Sequence, residues 1–207
     1  MVKGAEELLE ERGVGGFTVA EVSRRVGVAS IAPYAHFADR ERLLAAVAVH
    51  GLHQLGAAIL TLRRRFPDPS QRLAVMARAY VTFAGNQRPL FELLFVSVLD
   101  RSRHPEIEAA ESPLTDAFLG GVQELEPGAD ANPEELAKAL EATASGHALF
   151  LIDGGFGSGA LAVRRAAEGA ARATLALLAG RQLLAPAQSA PARTVGAVPG
   201  RRVGPSG

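Results

Sequence analysis

Two histidines, His50 and His53, are spaced so that a helix would place both imidazoles on one face. Such a pair can bind a transition metal, but no carboxylate on the same face completes a ligand set. The glycine-rich GGFGSG at 154–159 follows a predicted helix rather than a strand, which argues against a dinucleotide cradle. Because the chain also lacks cysteine, thiolate ligands and cysteine nucleophiles are excluded. We expect no enzymatic activity, no metal and no cofactor.

The overall composition is that of a folded globular protein. Of the 207 residues, 48% are hydrophobic and 21% are charged, and the formal net charge is zero. A neutral chain gives no overall electrostatic reason to expect binding to nucleic acid or to a membrane surface. The acidic N-terminus MVKGAEELLEERG is unlike a signal peptide, and no apolar run approaches the length of a bilayer span. The sequence predicts a soluble cytoplasmic protein.

Helix start and stop signals recur along the chain, whereas no series of strands is evident. A first helix is predicted over 2–12. Thr18 and Glu21 form a capping box at the start of a second helix, and Gly27 ends it. Capping residues and first-turn prolines then predict six longer helices. Their expected first residues are Arg40, Pro69, Pro89, Pro113, Pro133 and Ala160.

The first fifty residues have the spacing of a helix-turn-helix. The second helix, a tight turn at Gly27–Ala29 and a short helix at Ser30–Phe37 follow one another directly. Charge does not strengthen this interpretation, since residues 1–53 carry six basic and seven acidic side chains, a net −1. Spacing alone leaves open an ordinary helical hairpin with no role in DNA binding.

The sequence therefore predicts an all-α fold with three parts. Residues 1–50 form a three-helix helix-turn-helix head, and a long bridging helix joins it to a helical ligand-binding and dimerisation body at 51–184. Residues 185–207 are rich in proline, glycine, alanine and serine. Such a segment cannot bury enough apolar surface to offset its ordering entropy, so we expect a disordered tail.

Two segments of the head, GFTVAEVSRRVGV and PYAHFADRERLLAAVAVHGL, resemble the N-terminal region of TetR/AcrR-type transcriptional regulators. The later ARAYVTFAGNQRPLFELLF is similar to a subgroup with a WHG-type C-terminal domain. The resemblance implies a homodimeric repressor that binds a palindromic operator and is released by a small hydrophobic effector. A dimer places its two recognition helices about 34–36 Å apart, in successive major grooves.

The resemblance, together with side-chain chemistry, implies roles for residues in the head. Hydroxyl, imidazole and guanidinium donors suit phosphate oxygens, whereas alkyl groups suit the methyl groups at thymine edges. Arg40 stands where the family usually has lysine. We expect contacts to the DNA backbone from Thr18, Tyr34, His36 and Arg40, and contacts to base edges from Ser30, Ile31, Ala32 and Ala35.

The resemblance also implies a cavity and a dimer interface in the body. Aromatic and small side chains at helical spacing suit both, although an ordinary monomeric core would show the same pattern. The expected ligand-binding residues are Met76, Tyr80, Phe83, Phe91, Phe95, Phe118 and His147. The expected interface residues are Leu136, Leu140, Ala144, Ala166, Ala170, Ala173 and Leu177.

One departure from the family pattern concerns the N-terminus. Family members usually carry a longer basic arm and a fuller first helix before the position of Ala5. With few basic contacts available, we expect weak DNA affinity and a shallow salt dependence. The alternative function is a helical ligand-binding or adaptor protein with weak or lost DNA binding.

Overall fold

The computed structural model describes residues 1–27, 37, 39–96, 99–125 and 132–184. Within these ranges every element of regular secondary structure is a helix, which confirms the predicted all-α fold class. The α-helices are α1 Val2–Arg12, α2 Val19–Val26, α3 Arg40–Arg63, α4 Pro69–Asn86, α5 Arg88–Phe95, α6 Pro105–Gln123, α7 Pro133–Ile152 and α8 Gly159–Ala179. Short 3-10 turns lie at Arg101–Arg103 and Arg181–Leu184. The predicted tail at 185–207 lies outside the described residues.

Local capping explains where the second helix begins and ends. The Thr18 hydroxyl accepts a hydrogen bond from the Glu21 backbone N–H (3.3 Å), and the Glu21 carboxylate accepts one from the Thr18 backbone N–H (2.8 Å). Gly27 adopts the left-handed conformation, with φ 71° and ψ 23°. The predicted capping box and the glycine at the end of α2 are both confirmed.

The same capping logic holds along the body. The side chains of Asp39, Asp68 and Asn132 accept hydrogen bonds from backbone N–H groups in the first turns of α3, α4 and α7. Pro69 and Pro133 occupy the first turns of their helices, where a proline removes no intrahelical bond. These starts were predicted correctly because a cap is set by a few neighbouring residues.

The predicted helix start at Pro113 is wrong. The helix α6 begins at Pro105, and Pro113 lies inside it. The Ser112 hydroxyl does not cap a helix but donates to the Asp116 carboxylate (3.3 Å). The helix continues through Pro113 because its buried stripe packs into the core on both sides of the proline. This stripe includes Ile107 before the proline and Phe118 after it.

The longest helix, α3, connects the head to the body. It packs against α1 in the head and against α4, α5 and α6 in the body. Its length and composition would allow a membrane span, but 50% of its most apolar window is buried inside the protein, as in a core helix. A second layer is formed by α4, which packs on α8 and α7. A movement in the body can therefore reach the head through one rigid element.

Candidate functional site

Arg40, the first residue of α3, holds the loop between α1 and α2. Its Nε donates to the Phe17 carbonyl oxygen (2.9 Å), and its Nη2 donates to the Val14 carbonyl oxygen. The guanidinium carbon lies 5.2 Å from the centre of the Phe17 ring. Arginine carries five N–H donors, so these bonds leave others for a second acceptor. This expected phosphate contact is thus also part of the structure of the head.

Two further arginines of the head are paired with carboxylates of the head itself. Arg25 donates to both carboxylate oxygens of Glu11 at 2.6 and 2.8 Å, and Arg12 donates to Glu21 at 2.8 Å. The bonds from Thr18 and then from Arg12 lower the pKa of Glu21 to about 2. These pairs tie α1 to α2 and its cap, and they reduce the positive charge available to an outside partner.

The remaining residues expected to contact DNA lie outside the described residues. They are Ser30, Ile31, Ala32, Tyr34, Ala35 and His36. Thr18 lies within the described residues. Its hydroxyl accepts a hydrogen bond from the Glu21 backbone N–H and donates one to the Glu21 carboxylate at 2.9 Å. The assignment of phosphate and base contacts therefore stays a prediction.

A cavity of about 150 Å³ lies in the body, lined by side chains from five successive helices, α3 to α7. Three of the expected ligand-binding residues, Tyr80, Phe95 and Phe118, line it. The rest of the lining comprises Ile59, Glu111, Leu114, Thr115, Glu141, Ala144 and Ser145. The cavity is mainly apolar, with a few polar groups, which is the usual character of a small-molecule site.

Four of the expected ligand-binding residues do not line this cavity. Met76 is completely buried in the core, and Phe91 packs behind the cavity wall with its ring centre 5.6 Å from that of Tyr80. Phe83 is partly buried against the core. His147 contacts the Thr143 carbonyl oxygen through Nδ1 (2.8 Å) and stacks on an aromatic ring of the following turn.

The polar groups of the cavity come from α4, α6 and α7. The Ser145 hydroxyl donates to the Tyr80 hydroxyl at 3.4 Å, and burial raises the pKa of Tyr80 to about 12. Glu111 pairs with Arg101. Glu141 has a buried oxygen, Oε1, that makes no hydrogen bond. Burial, followed by repulsion from Glu111, raises the pKa of Glu141 above its ordinary value.

Sequence reasoning missed these two glutamates, although the sequence contains a signal for them. Glu111 stands three residues before Leu114 and seven before Phe118, which places it on the buried stripe of α6. Glu141 stands four residues after Ala137 and three before Ala144, on the buried side of α7. An acidic residue within an apolar stripe is unusual, because a solvated face is its normal place.

The residues expected at a dimer interface are mostly buried within a single chain. Leu136, Leu140, Ala144, Ala166 and Ala170 are all at most 2% exposed, and Ala173 and Leu177 are half-buried. Small residues do allow close helix approach, but here they bring α7 and α8 against α4 of the same chain. The five buried positions therefore offer no surface to a second subunit.

Large apolar side chains are exposed elsewhere on the same two helices. Leu149 and Phe150 at the end of α7 are 43% and 55% exposed, and Leu161 at the start of α8 is 54% exposed. The Phe150 ring also meets the Phe156 ring edge-on, with centres 5.3 Å apart. We call Leu149, Phe150 and Leu161 the exposed apolar patch.

The head and the body each match a profile of a known protein family. Residues 2–47 match "Bacterial regulatory proteins, tetR family", and residues 73–177 match "Tetracyclin repressor-like, C-terminal domain". The chain belongs to the tetR family. This confirms the resemblance of the head, whereas the WHG-type subgroup stays a prediction. As a tetR-family member the protein is a DNA-binding regulator of transcription. A comparison with curated proteins found no significant match.

Solved structures share the fold of this tetR-family chain. A Rhodococcus sp. RHA1 protein of unknown function is 27% identical, with 84% of this chain and 91% of that chain covered and a TM-score of 0.71. FadR from Bacillus subtilis, in complex with stearoyl-CoA, is 14% identical, with 86% and 95% covered and a TM-score of 0.66. AibR, in complex with isovaleryl coenzyme A and operator DNA, is 18% identical, with 82% and 93% covered and a TM-score of 0.60.

Proposed function

We propose that this protein is a ligand-responsive repressor that binds a palindromic operator as a homodimer. A small molecule in the cavity between α3 and α7 releases it from the operator. One observation carries this proposal: α3 holds the head through Arg40 and lines the cavity through Ile59. A ligand that shifts α3 at Ile59 moves the position of the head, because a helix transmits displacement as a rigid rod.

Two of the similar structures support a response to ligands. FadR was solved with stearoyl-CoA, and AibR was solved with both isovaleryl coenzyme A and operator DNA. In both, as here, a helical body accompanies the head. We infer from this that the chain responds to a small-molecule effector and has a regulatory rather than an enzymatic role. A regulator of this kind acts in the cytoplasm, where bacterial DNA is located.

The contacts with DNA divide into two sets in this proposal. Thr18, Tyr34, His36 and Arg40 contact phosphates and fix the head on the duplex without reading sequence. Ser30, Ile31, Ala32 and Ala35 meet base edges in the major groove. Replacing a residue of the first set weakens binding to all sequences alike, whereas replacing one of the second set changes which sequence is preferred.

The operator geometry follows from dimerisation through α7 and α8. The exposed apolar patch lies where these two helices meet, and pairing it with its copy creates an isologous interface. Such a dimer presents two recognition helices to half-sites one helical turn apart. Ligand binding then acts by changing their separation.

Selection of bound sites from a random DNA library tests the function directly. The expected result is an inverted repeat whose half-sites are about 10 base pairs apart, bound by a dimer. Binding to the selected site is then measured by fluorescence anisotropy with the intact chain. Failure to enrich any sequence contradicts the repressor function and favours a ligand-binding protein that no longer recognises DNA.

A further inference from the structure

We propose that the cavity binds a small lipophilic amine in its protonated form. The Glu141 carboxylate accepts a hydrogen bond from the ammonium group of this ligand. This inference rests on the proposed function, because it names the chemical class of the effector for the same cavity. It is carried by the size of the cavity, its aromatic walls and a buried carboxylate oxygen without a partner.

The size of the cavity limits the ligand to about one ring. Its volume is about 150 Å³. An engineered protein cavity of about that volume binds benzene, so a single substituted ring fills such a space. A coenzyme A thioester is far larger than this. The acyl-CoA ligands of FadR and AibR are therefore poor guides to the ligand of this chain.

The walls suit a ring that carries positive charge. Tyr80 and Phe95 stand with their ring centres 5.5 Å apart, and Phe118 lines the cavity with them. Aromatic faces attract both another ring and a cation, because their π electrons give them a negative surface. Leu114 and Ile59 complete the apolar lining, so a strongly hydrated ion without an apolar body gains little there.

The charges at the cavity select a cation over an anion. Glu111 and Glu141 both line it, and none of the described lining residues is lysine, arginine or histidine. Arg101 pairs with Glu111, but Glu141 has no ion pair among the described residues. A carboxylate ligand would meet two negative groups without a compensating positive charge among the described lining residues. An ammonium group instead gives the buried Glu141 Oε1 the hydrogen bond that it lacks.

Neighbouring hydroxyls add acceptors for the remaining N–H groups of the ligand. Ser145 lies one turn after Glu141 on α7, and its hydroxyl reaches the Tyr80 hydroxyl across the cavity wall. Glu141 and this hydroxyl pair thus line the same cavity as the apolar side chains Leu114 and Phe118 of α6. The arrangement matches a molecule with one charged end and one apolar ring.

A series of ligands with one shape and different charge tests the proposal. Benzylamine, benzyl alcohol, toluene and benzoate are titrated into the intact protein at pH 7.5 without DNA, by calorimetry. We expect benzylamine to bind at least about tenfold more tightly than benzyl alcohol, as bonds to charged groups exceed neutral ones. Benzoate should not bind. Equal binding of benzylamine and benzyl alcohol, or failure of all four to bind, overturns the proposal.

Two variants assign the selectivity to one residue. Glu141→Gln keeps the shape and removes the charge, and it should lower benzylamine affinity about tenfold or more while leaving benzyl alcohol unchanged. Glu135→Gln removes an exposed charge from the same helix and should leave both affinities unchanged. Retention of full benzylamine affinity by folded Glu141→Gln contradicts the assignment.

Release from the selected operator is measured separately by anisotropy. Amine binding without release supports the ligand class but contradicts the effector role of the cavity. Operator binding combined with no amine preference leaves the repressor function intact and overturns only the ligand class. The two proposals can therefore fail independently.

Discussion

At the scale of single residues, Arg40 has a structural role in the head in addition to its proposed contact with DNA. Its bonds to the carbonyl oxygens of Val14 and Phe17 fix a loop that precedes α2. A lysine, which the family usually has at this position, carries its three donors on one nitrogen and lacks the planar fork with which the arginine reaches both carbonyl groups. The arginine thus couples the start of α3 to the rest of the head.

Glu141 has the opposite character, because it costs stability in the free protein. Burial and repulsion from Glu111 outweigh the attraction of Lys138 and raise its pKa above the ordinary 4.5, so the folded state disfavours its charged form. Above that raised pKa the cost is fully present, and below the unfolded value, where both states are protonated, it disappears. We predict that Glu141→Gln stabilises the ligand-free protein, with an effect that grows as the pH rises from about 4.5 to the raised pKa and stays constant above it.

Thermal unfolding across this pH range checks the prediction. The melting temperatures of wild type and Glu141→Gln should converge at low pH and separate at neutral pH. Glu135→Gln, whose carboxylate is exposed in the first turn of α7, should show no such stabilisation. A Glu141→Gln protein that is less stable than wild type at pH 7.5 contradicts the view that this charge is unpaired and costly.

Residue types predicted one part of the cavity and not the other. Tyr80, Phe95 and Phe118 are predictable from the sequence, because they are large aromatic residues at helical spacing in the region where the family resemblance implies a cavity. Glu111 and Glu141 were not, because a glutamate on a helix normally faces water. Recognising them required knowing which stripes of α6 and α7 converge, and this depends on packing between distant segments.

At the scale of helices, local signals predicted most starts correctly and failed where packing decides. Thr18, Asp39, Asp68 and Asn132 each cap the helix that follows, because the hydrogen bond spans only two or three residues. Ser112 has the same local signature before Pro113, yet α6 passes through both. The buried stripe of α6 is a property of the whole bundle, so no short window of sequence reveals it.

The proline inside α6 gives a direct prediction about stability. Pro113 is exposed, lacks the N–H that would bond to the carbonyl of the preceding turn, and crowds that carbonyl. Pro113→Ala should therefore raise the free energy of unfolding by about 1–3 kcal/mol, measured by urea denaturation. Pro105→Ala is the matched control, since Pro105 stands in the first turn and should give no gain. Equal effects of the two substitutions would contradict this account.

The turn before α6 connects the cavity wall to the start of α3. Arg101 pairs with Glu111 in the cavity, while Arg103 Nη1 and His104 Nε2 contact the carboxylate of Glu41 at 2.8 and 3.3 Å. Glu41 lies in the first turn of α3, beside Arg40. A cationic ligand that attracts Glu111 competes with Arg101 and thereby loosens this turn.

We predict that Glu41→Gln weakens the coupling between ligand and DNA. Ligand affinity in the absence of DNA should stay unchanged, because Glu41 does not line the cavity. The operator affinity without ligand, divided by the operator affinity with ligand, should fall several-fold. The reason is that the turn before α6 no longer connects the cavity to the start of α3. Anisotropy titrations at fixed ligand concentrations measure this ratio. Glu108→Gln, an exposed substitution on α6, serves as the control and should leave the ratio unchanged.

At the scale of the whole molecule, the charge of the head leads us to expect that a single head binds DNA weakly. The full chain is neutral, and Arg12 and Arg25 are paired with Glu21 and Glu11 of the same head. Electrostatic contact with phosphates therefore contributes less than in a basic domain. In the proposed homodimer two linked heads compensate for this, because the second binding step becomes intramolecular and strengthens overall binding by about 10²–10⁴. We therefore expect operator binding to depend on dimerisation.

The exposed apolar patch supplies the last prediction. In a two-fold interface each substitution occurs twice, so Leu161→Arg brings two positive charges into the proposed apolar interface. Leu161→Arg should sediment as a monomer at concentrations where the wild type is a dimer, and it should lose about a hundredfold in operator affinity. Leu60→Arg is matched in size and charge at a similarly exposed leucine (41%) on α3, away from α7 and α8, and should remain dimeric. A dimeric Leu161→Arg protein with normal operator affinity would move the interface away from the patch, because buried like charges without partners cannot be retained there.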